Sequence, residues 1–285
     1  MAGQRCTFKA QHGFFTHDDD PESWDFRATT RPLLGIKTRE YATDSDFEPK
    51  EESTQWQRLE HYVRHMNTLN PTQQRWKIFY IIRHGQGIHN VKHDEVGREE
   101  WDRYWSKLSG DGHVVWEDAE LTPFGEQQAE AIASFFGRGE VPLPDVIFSS
   151  PLRRCLETTK IAYKDDLAMV GSTSESIRRP LVKEKLRERL GVHLCDKRST
   201  KCFTEEDELW KADVRETLDE HMTRAAQLLE DIFEREGDEA IVSLTAHSGA
   251  LMALFGATGW KKVPVAAGAV YPLLVVAEKV STEGQ

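Results

Sequence analysis

The sequence predicts an α/β fold, a three-layer α/β/α sandwich around a mostly parallel central sheet. Short β-rich apolar runs alternate with helical patterns between residues 77 and 279, as in sheets covered by helices on both faces. The run 240–246 is almost continuously apolar, which is typical of a central strand buried on both faces. The 285 residues, of which 39% are hydrophobic, suffice for one large domain with a full core.

The N-terminal part of the chain differs from the rest. Residues 1–76 are acidic, aromatic and interrupted by turn-forming residues, apart from a helical pattern over 54–69. We therefore predict one domain over 1–285, in which 1–76 form an extension packed on a core of residues 77–285.

The core elements follow in chain order. A strand over 77–82 comes first, and a polar, tryptophan-bearing insertion over 99–120 is expected to form a cap. Thr122 and Pro123 then supply the N-cap and the first-turn proline of a helix that runs to Phe136. The remaining predictions are a strand at 145–150, a helix at 151–163, a short strand near 180–186, a helix at 218–236, the strand 240–246, a helix at 248–258 and a closing strand at 269–279.

Charge and cysteine content restrict the partners and the compartment. A formal net charge of −11 repels nucleic acid and anionic membranes, so we predict neither as a partner. An anionic ligand then requires a local basic pocket. The four cysteines form no CxxC pair, which indicates reduced thiols. Because the chain shows no apolar leader and no run of about 18 apolar residues, we expect a cytoplasmic protein, with the nucleus as an alternative.

Three predicted strands end on residues suited to an anion. These ends are Arg83-His84-Gly85, Ser149-Ser150-Pro151 with Arg153-Arg154 just beyond, and Ala246-His247-Ser248-Gly249. Taken singly, each has a simpler explanation: a solvated arginine, an exposed helix face or a buried structural histidine. Ligands of open α/β sheets bind at the carboxyl ends of the strands. The recurrence therefore favours a phosphate site, since guanidinium groups match phosphate oxygens bidentately.

Four segments resemble the motifs of the histidine phosphatase superfamily, also called the phosphoglycerate mutase-like family. They are, in family order, RHGQGIHN (83–90), ELTPFGEQQA (120–129), SSPLRRCLETT (149–159) and TAHSG (245–249). The match runs from residue 77 to the end, and the extension resembles that of a fungal cytosolic subgroup of the family. The resemblance implies the phosphoglycerate mutase-like fold and chemistry on phosphate esters.

The resemblance also implies catalytic roles. His84 would be the nucleophile that becomes phosphohistidine, and Arg83, Arg154 and His247 would form the cationic pocket around the phosphoryl group. Arg154 is chosen over its neighbour Arg153 because the family spacing is S-P-L-x-R.

The family's general acid and its substrate contacts are assigned in the same way. Glu188 stands in the L-x-E context of the family's general acid, although Glu184 lies nearby. The candidate phosphate and substrate contacts are Asn90, Gly87, Arg189 and Ser248. The implied activity is hydrolysis of a small phosphorylated metabolite, with no metal or cofactor, by a monomer or homodimer.

Two different functions are compatible with this same fold. A phosphoglycerate mutase uses the same residues and differs in whether water reaches the phosphohistidine before the intermediate takes the phosphoryl group back. The second is a non-catalytic protein that binds a phosphorylated ligand. The same fold could serve this role, because a fold does not imply a function. The intact catalytic set argues against it.

Three further hypotheses assign a different chemistry to these residues. Gly85-x-Gly87 suggests a dinucleotide loop, but the third glycine is missing and no helical pattern follows at once. The stretch around Ser248 resembles a serine-hydrolase elbow, but no histidine follows it as that triad requires. His84, His89 and His93 could bind a metal, although solvated histidines are the simpler explanation.

The tryptophans of the insertion allow two roles. Trp101, Trp105 and Trp116 could form an aromatic wall for the organic part of a substrate. Packing the cap onto the core is the simpler role, and we favour it.

Overall fold

A mixed sheet of six strands forms the centre of the computed structural model, which describes residues 6–47, 52–164, 179–199, 207–235 and 237–280. The strands are β1 (Cys6–Gln11), β2 (Gln74–Arg83), β3 (Val146–Ser149), β4 (Leu181–Val182), β5 (Ile241–Ala246) and β6 (Val270–Lys279). Their spatial order is β1-β6-β2-β5-β3-β4. The pairs β2–β5, β5–β3 and β3–β4 are parallel, whereas β6 is antiparallel to both of its neighbours.

The helices of the described residues cover both faces of this sheet. They are α1 (Trp24–Arg27), α2 (Gln55–Leu69), α3 (Ile88–Val96), α4 (Arg98–Arg103), α5 (Pro123–Phe136), α6 (Arg153–Ala162), α7 (Leu218–Phe233) and α8 (Ser248–Ala257). Thr54, Thr122 and Thr217 each cap a helix, because the side-chain oxygen accepts the N–H of the residue three positions on. The predicted helix at 218–236 ends earlier, at Phe233, and residue 236 lies outside the described part.

Strand β2 shows how the sheet divides the core into two layers. Successive side chains of a strand point to opposite faces, and here both faces are buried. Phe79 and Ile81 join a cluster with α7 and α8, whereas Tyr80 and Ile82 join a second cluster with α2, α5 and α6. The predicted α/β sandwich is confirmed.

Two further elements differ from the sequence predictions. The extension supplies an edge strand, β1, which pairs antiparallel with β6. Its residues Cys6–Gln11 alternate weakly, because Phe8 is the one buried side chain among them. The second difference is α3, which begins at Ile88, directly after the glycine-rich turn. The expectation that no helix follows this turn at once was therefore wrong.

The extension also contacts the rim where the candidate residues lie. Arg27, which is buried, donates from Nη1 to the Pro264 carbonyl at 2.5 Å, and the Arg27 carbonyl accepts the Ala266 N–H at 2.9 Å. Between these two positions, the Val265 carbonyl accepts Nη1 of Arg83 at 2.9 Å. The segment that holds Arg83 is thus fixed from its other side by the extension.

None of the described helices combines the length and the apolar character that crossing a bilayer requires.

Candidate active site

The strands that carry the three motifs are neighbours in the sheet. Strands β2, β5 and β3 are adjacent and parallel, so their carboxyl ends meet at one edge. The backbone there is tightly packed. The His84 N–H donates to the Ala246 carbonyl at 3.0 Å. A Cβ on Gly85 would overlap the Gly125 carbonyl, and one on Gly125 would overlap the Gln86 carbonyl. Both glycines are required by this close approach.

His84 is held as a neutral base in one tautomer. It is 2% exposed. Its Nδ1 lies 2.6 Å from the Gly85 carbonyl, which can only accept, so Nδ1 carries the proton. Burial lowers the pKa of His84 well below its ordinary value, and the charges of Arg154 and Arg83 lower it further. The lone pair is therefore on Nε2, which is the arrangement a nucleophile needs.

Arg154 on α6 lies directly against this nitrogen. Its Nε donates to His84 Nε2 at 3.2 Å, and the side chain is 1% exposed. The other two nitrogens donate to the Cys195 carbonyl at 2.7 Å and to Asp196 Oδ1 at 3.0 Å. By contrast, Arg153 pairs at the surface with Glu120 and Glu157. The structure thus brings Arg154, and not its neighbour, to His84.

Asp196 anchors this arginine and was not identified from the sequence. Its carboxylate also accepts Arg215 Nη2 at 2.9 Å. Burial opposes the charge of Asp196, but Arg215 and Arg154 together hold the pKa below its ordinary value. A buried carboxylate between two guanidinium groups stays ionised and fixes both. Only the fold brings these residues together, and no local motif marks them.

His247 packs against the ring of His84. Its ring centroid lies 5.1 Å from that of His84, and the side chain is fully buried. Ser150 Oγ lies 2.8 Å from His247 Nε2, and Cys155 Sγ lies 3.4 Å from the same atom. Burial, followed by the charge of Arg154, lowers the pKa of His247 well below its ordinary value. Both motif histidines are thus neutral at pH 7.

Arg83 is the remaining predicted cation of the rim. Nη1 donates to the Val265 carbonyl, whereas Nε is buried without a hydrogen-bond partner in the described part of the chain. Burial lowers the pKa of Arg83, and the charge of Glu188 opposes that shift. Arginine side chains remain protonated in proteins. A partly buried cation whose buried Nε has an unused donor is suited to an anionic ligand.

Two backbone N–H groups position the carboxyl group of Glu188. The Arg189 N–H donates to Oε1 at 3.0 Å and the Gly249 N–H donates to Oε2 at 2.9 Å. Burial, followed by the negative charge of Asp196, raises the pKa of Glu188 against the effect of these donors. A carboxyl group with a raised pKa keeps its proton to higher pH, as a general acid must.

Arg224 on α7 fixes the backbone around this glutamate. Its Nη1 donates to the carbonyls of Lys185 and Arg187, at 2.9 and 3.0 Å. Its Nη2 donates to the Glu188 carbonyl at 3.1 Å. Glu216 in turn accepts Nε and Nη2 of Arg224 at 2.8 and 2.6 Å. The backbone that carries Glu188 is therefore held by side chains of α7 and of the segment before it.

Glu184 takes part in a separate, partly exposed group of ion pairs. It pairs with Arg187 at 3.4 Å and with Arg198 at 3.2 Å, and its side chain is 40% exposed. Glu188, by contrast, accepts a hydrogen bond from Gly249 in the first turn of α8, the helix that begins directly after His247. Of the two glutamates, Glu188 is therefore the one that the fold brings close to His247.

Gly249 is expected to be essential for the position of Glu188. A Cβ at this residue would overlap Oε1 of Glu188. With Glu188 as the expected general acid, Gly249→Ala should lower kcat by about 10²-fold, because displacing such a group by about 1 Å has an effect of this size. Steady-state kinetics on p-nitrophenyl phosphate would measure it.

The matched control is Gly256→Ala on the same helix, where a Cβ would meet only the flexible side chains of Met222 and Lys262. Its kcat should remain within twofold of the wild type. Equal losses in both variants would contradict the assigned role of Gly249.

Of the candidate substrate contacts, Asn90 and Arg189 form hydrogen bonds to the backbone of the chain, and Ser248 begins a helix. Asn90 Oδ1 accepts the Gly87 N–H at 2.9 Å and so caps α3. Arg189 directs Nε and Nη2 to the Glu216 carbonyl, at 2.8 and 2.5 Å, which commits two of its donors to the chain backbone. Ser248 is the first residue of α8, directly after His247.

The three tryptophans of the insertion form a packing cluster. Trp116 is fully buried and Trp101 is 4% exposed, and both pack with the buried side chains of Ala119 and Cys195. Trp105 packs against them from a half-buried position. The cap-packing role fits this arrangement better than an open aromatic wall.

The described residues do not assemble His84, His89 and His93 into a metal-ligand group. In that part of the chain, such a group is formed by His193, Cys195 and Asp196. However, Asp196 is already held by two guanidinium groups, which repel a cation.

The comparisons with known proteins agree with the motifs. The model of the histidine phosphatase superfamily (branch 1) matches residues 79–269, and the chain belongs to this superfamily. A relative named "Probable phosphoglycerate mutase", from Arthroderma benhamiae, is 36% identical over 283 residues, covering 92% of this chain and 82% of the relative. "Probable phosphoglycerate mutase PMU1" of Saccharomyces cerevisiae is 37% identical over 232 residues, 70% of this chain and 76% of the relative.

Among solved structures, one named "Mycobacterial hydrolase 1" is similar with a TM-score of 0.45 and 22% identity. It covers 70% of this chain and 91% of that one. The family resemblance inferred from the four motifs is confirmed by the family match and the two fungal relatives.

Proposed function

We propose that the protein is a metal-independent phosphohydrolase that cleaves small phosphate monoesters through a phosphohistidine at His84. The observation that carries this proposal is the orientation of His84. Its Nδ1–H is bound to the Gly85 carbonyl and its Nε2 faces Arg154. A neutral imidazole fixed in this tautomer beside a buried cation is suited to attack phosphorus in a bound phosphate ester.

The reaction proceeds in two steps. In the first, Nε2 of His84 forms a bond to phosphorus while the bond to the leaving oxygen breaks, and protonated Glu188 gives its proton to that oxygen. In the second, ionised Glu188 takes a proton from water, whose oxygen attacks phosphorus and releases inorganic phosphate from Nε2. Arg83 and Arg154 stabilise the phosphoryl oxygens throughout.

A phosphoglycerate mutase is the second candidate. The names of the two fungal relatives favour it. The same His84 and Glu188 would serve, but the phosphoryl group would return to a second hydroxyl of the substrate instead of passing to water.

One experiment separates these functions. Wild type and His84→Ala are incubated with p-nitrophenyl phosphate and with a panel of phosphorylated metabolites, in the presence of EDTA, and release of inorganic phosphate is measured. Phosphate release by the wild type but not by His84→Ala supports the hydrolase. Interconversion of 2- and 3-phosphoglycerate without net release supports the mutase. No turnover of any phosphate ester would leave a phospho-ligand binder and overturn both enzyme proposals.

A further inference from the structure

Arg83 is oriented by a loop that contains neither helix nor strand. This α8–β6 loop, residues 258–269, connects the end of α8 to the start of β6. The Val265 carbonyl in the loop accepts Nη1 of Arg83 at 2.9 Å, and the Gly268 N–H donates to the Arg83 carbonyl at 3.0 Å. Backbone groups outside helices and strands need other partners to hold them. The position of the Arg83 guanidinium therefore depends on what holds this loop.

Arg27 of the N-terminal extension holds the loop from its other side. All three nitrogens of its guanidinium donate to backbone carbonyls: Nη1 to Pro264 at 2.5 Å, Nη2 to Glu22 at 2.8 Å and Nε to Ser23 at 3.2 Å. One side chain thus joins the turn before α1 to the residue directly before Val265. Because a guanidinium is a rigid planar fork, it holds these carbonyls in a fixed geometry.

A backbone hydrogen bond joins the same two segments. The Arg27 carbonyl accepts the Ala266 N–H at 2.9 Å. The extension therefore binds the loop on both sides of Val265, directly before it at Pro264 and directly after it at Ala266. The Val265 side chain is fully buried in the core. Its carbonyl is thus fixed in the position that accepts Arg83.

The burial of Arg27 is costly and calls for a role. The residue is 8% exposed, and burying a charge costs free energy that an apolar side chain would avoid. What the guanidinium supplies in return is a link between two backbone segments that lie 237 residues apart in the chain.

We propose that Arg27 is a positioning residue of the phosphate site, which acts on Arg83 through the Val265 carbonyl. The buried Nε of Arg83 has no hydrogen-bond partner in the described part of the chain and is the donor left for a phosphoryl oxygen. A guanidinium that is already oriented loses little conformational entropy when an anion binds, whereas a mobile one must first be ordered. This inference rests on the proposed function, because it requires a phosphoryl group beside Arg83.

Substitution of Arg27 is expected to weaken the binding of inorganic phosphate. Arg27→Met keeps an unbranched stem but removes all three donors. It should raise Kd for inorganic phosphate, measured by isothermal titration calorimetry, by roughly 3- to 10-fold, the factor that corresponds to ordering one long side chain on binding. Arg27→Lys keeps an amine that can donate to one of the carbonyls, so its Kd should rise less.

A double-mutant cycle tests whether Arg27 acts through Arg83. In the background of Arg83→Met, the guanidinium that Arg27 positions is absent, so Arg27→Met should change Kd by less than twofold. An equal rise of Kd in both backgrounds would show that Arg27 acts by another route and would overturn the inference. If thermal unfolding shows that Arg27→Met does not fold, Arg27→Lys takes its place in the same cycle.

Arg64→Met is the matched control. Arg64 also ties the extension to the core, since its Nη2 donates to the two carboxylate oxygens of Asp145 at 2.9 and 3.0 Å. Asp145 lies directly before β3, at the end of the sheet opposite the rim. This variant should lower the thermal stability but keep Kd within twofold of the wild type. A rise of Kd equal to that of Arg27→Met would assign the effect to general loosening of the extension and overturn the inference.

The wild type keeps the two proposals separable. A wild type that neither hydrolyses p-nitrophenyl phosphate nor binds inorganic phosphate overturns the proposed function and this inference together. An active wild type whose folded Arg27→Met variant binds inorganic phosphate within twofold of it overturns this inference alone.

Discussion

Replacing His84 by asparagine is expected to lower kcat for phosphate-ester hydrolysis by on the order of 10⁴-fold or more, the size of effect seen when an enzyme loses its nucleophile. Asparagine can still donate to the Gly85 carbonyl, as Nδ1 of His84 does, so the backbone turn should be kept. It has no counterpart of Nε2, however, and no bond to phosphorus can form.

Acid-labile phosphoenzyme provides the direct measurement for this variant. Wild type quenched during turnover of ³²P-labelled substrate should carry label at His84, and the asparagine variant should carry none. His93→Asn is the matched control and should retain both the label and kcat. Activity of His84→Asn within tenfold of the wild type would exclude the phosphohistidine mechanism.

Replacing Glu188 by glutamine is expected to have the second-largest effect, a loss of about 10²- to 10⁴-fold in kcat for alkyl phosphates, as for other general acid–base groups. The loss should be much smaller for formation of the phosphoenzyme from p-nitrophenyl phosphate, because nitrophenolate leaves without a proton. Since hydrolysis of the phosphohistidine also needs Glu188, labelled phosphoenzyme should accumulate. Glu184→Gln, which alters an exposed carboxylate of the same segment, should keep kcat within about twofold.

The pH profile gives an independent check on Glu188. A general acid works only when protonated, so activity falls as the pH rises through its pKa. Because burial and Asp196 raise that pKa, the fall should come at a higher pH than for an ordinary glutamate. His84 must be neutral, and its lowered pKa moves the acidic limb of the profile to lower pH. The alkaline limb should be absent from the kcat/KM profile of Glu188→Gln, since kcat/KM reports groups of the free enzyme. An unchanged limb would assign it to another group.

The predictions that the structure reproduced depend on local signals. The strand before Arg83 was identified from its apolar run, and the helix after Thr122 from its N-cap and proline. These signals lie within single elements, where backbone propensity and capping act between near neighbours. The strand β1 was missed because an edge strand buries few of its side chains and so carries little pattern.

Family motifs also located much of the candidate site, since each one lies at the end of one strand. His84, Arg154 and His247 meet at the rim because β2, β3 and β5 are adjacent and parallel. The motifs did not reveal what holds these side chains. Arg154 is anchored by Asp196, 42 residues later in the chain. No local motif marks that aspartate.

The sequence by itself thus determined the order of the elements, the family and the identity of the motif residues, because short-range propensities and spacing carry that information. Only the tertiary structure decided which groups hold the side chains of the site in place. The Gly249 N–H reaches Glu188 across 61 residues, and Asp196 reaches Arg154 across 42 residues. Burial, which sets the pKa values of His84 and Glu188, likewise depends on every element packed around the rim. Such contacts depend on side chains that are distant in sequence and close in space, so no pattern along the chain encodes them.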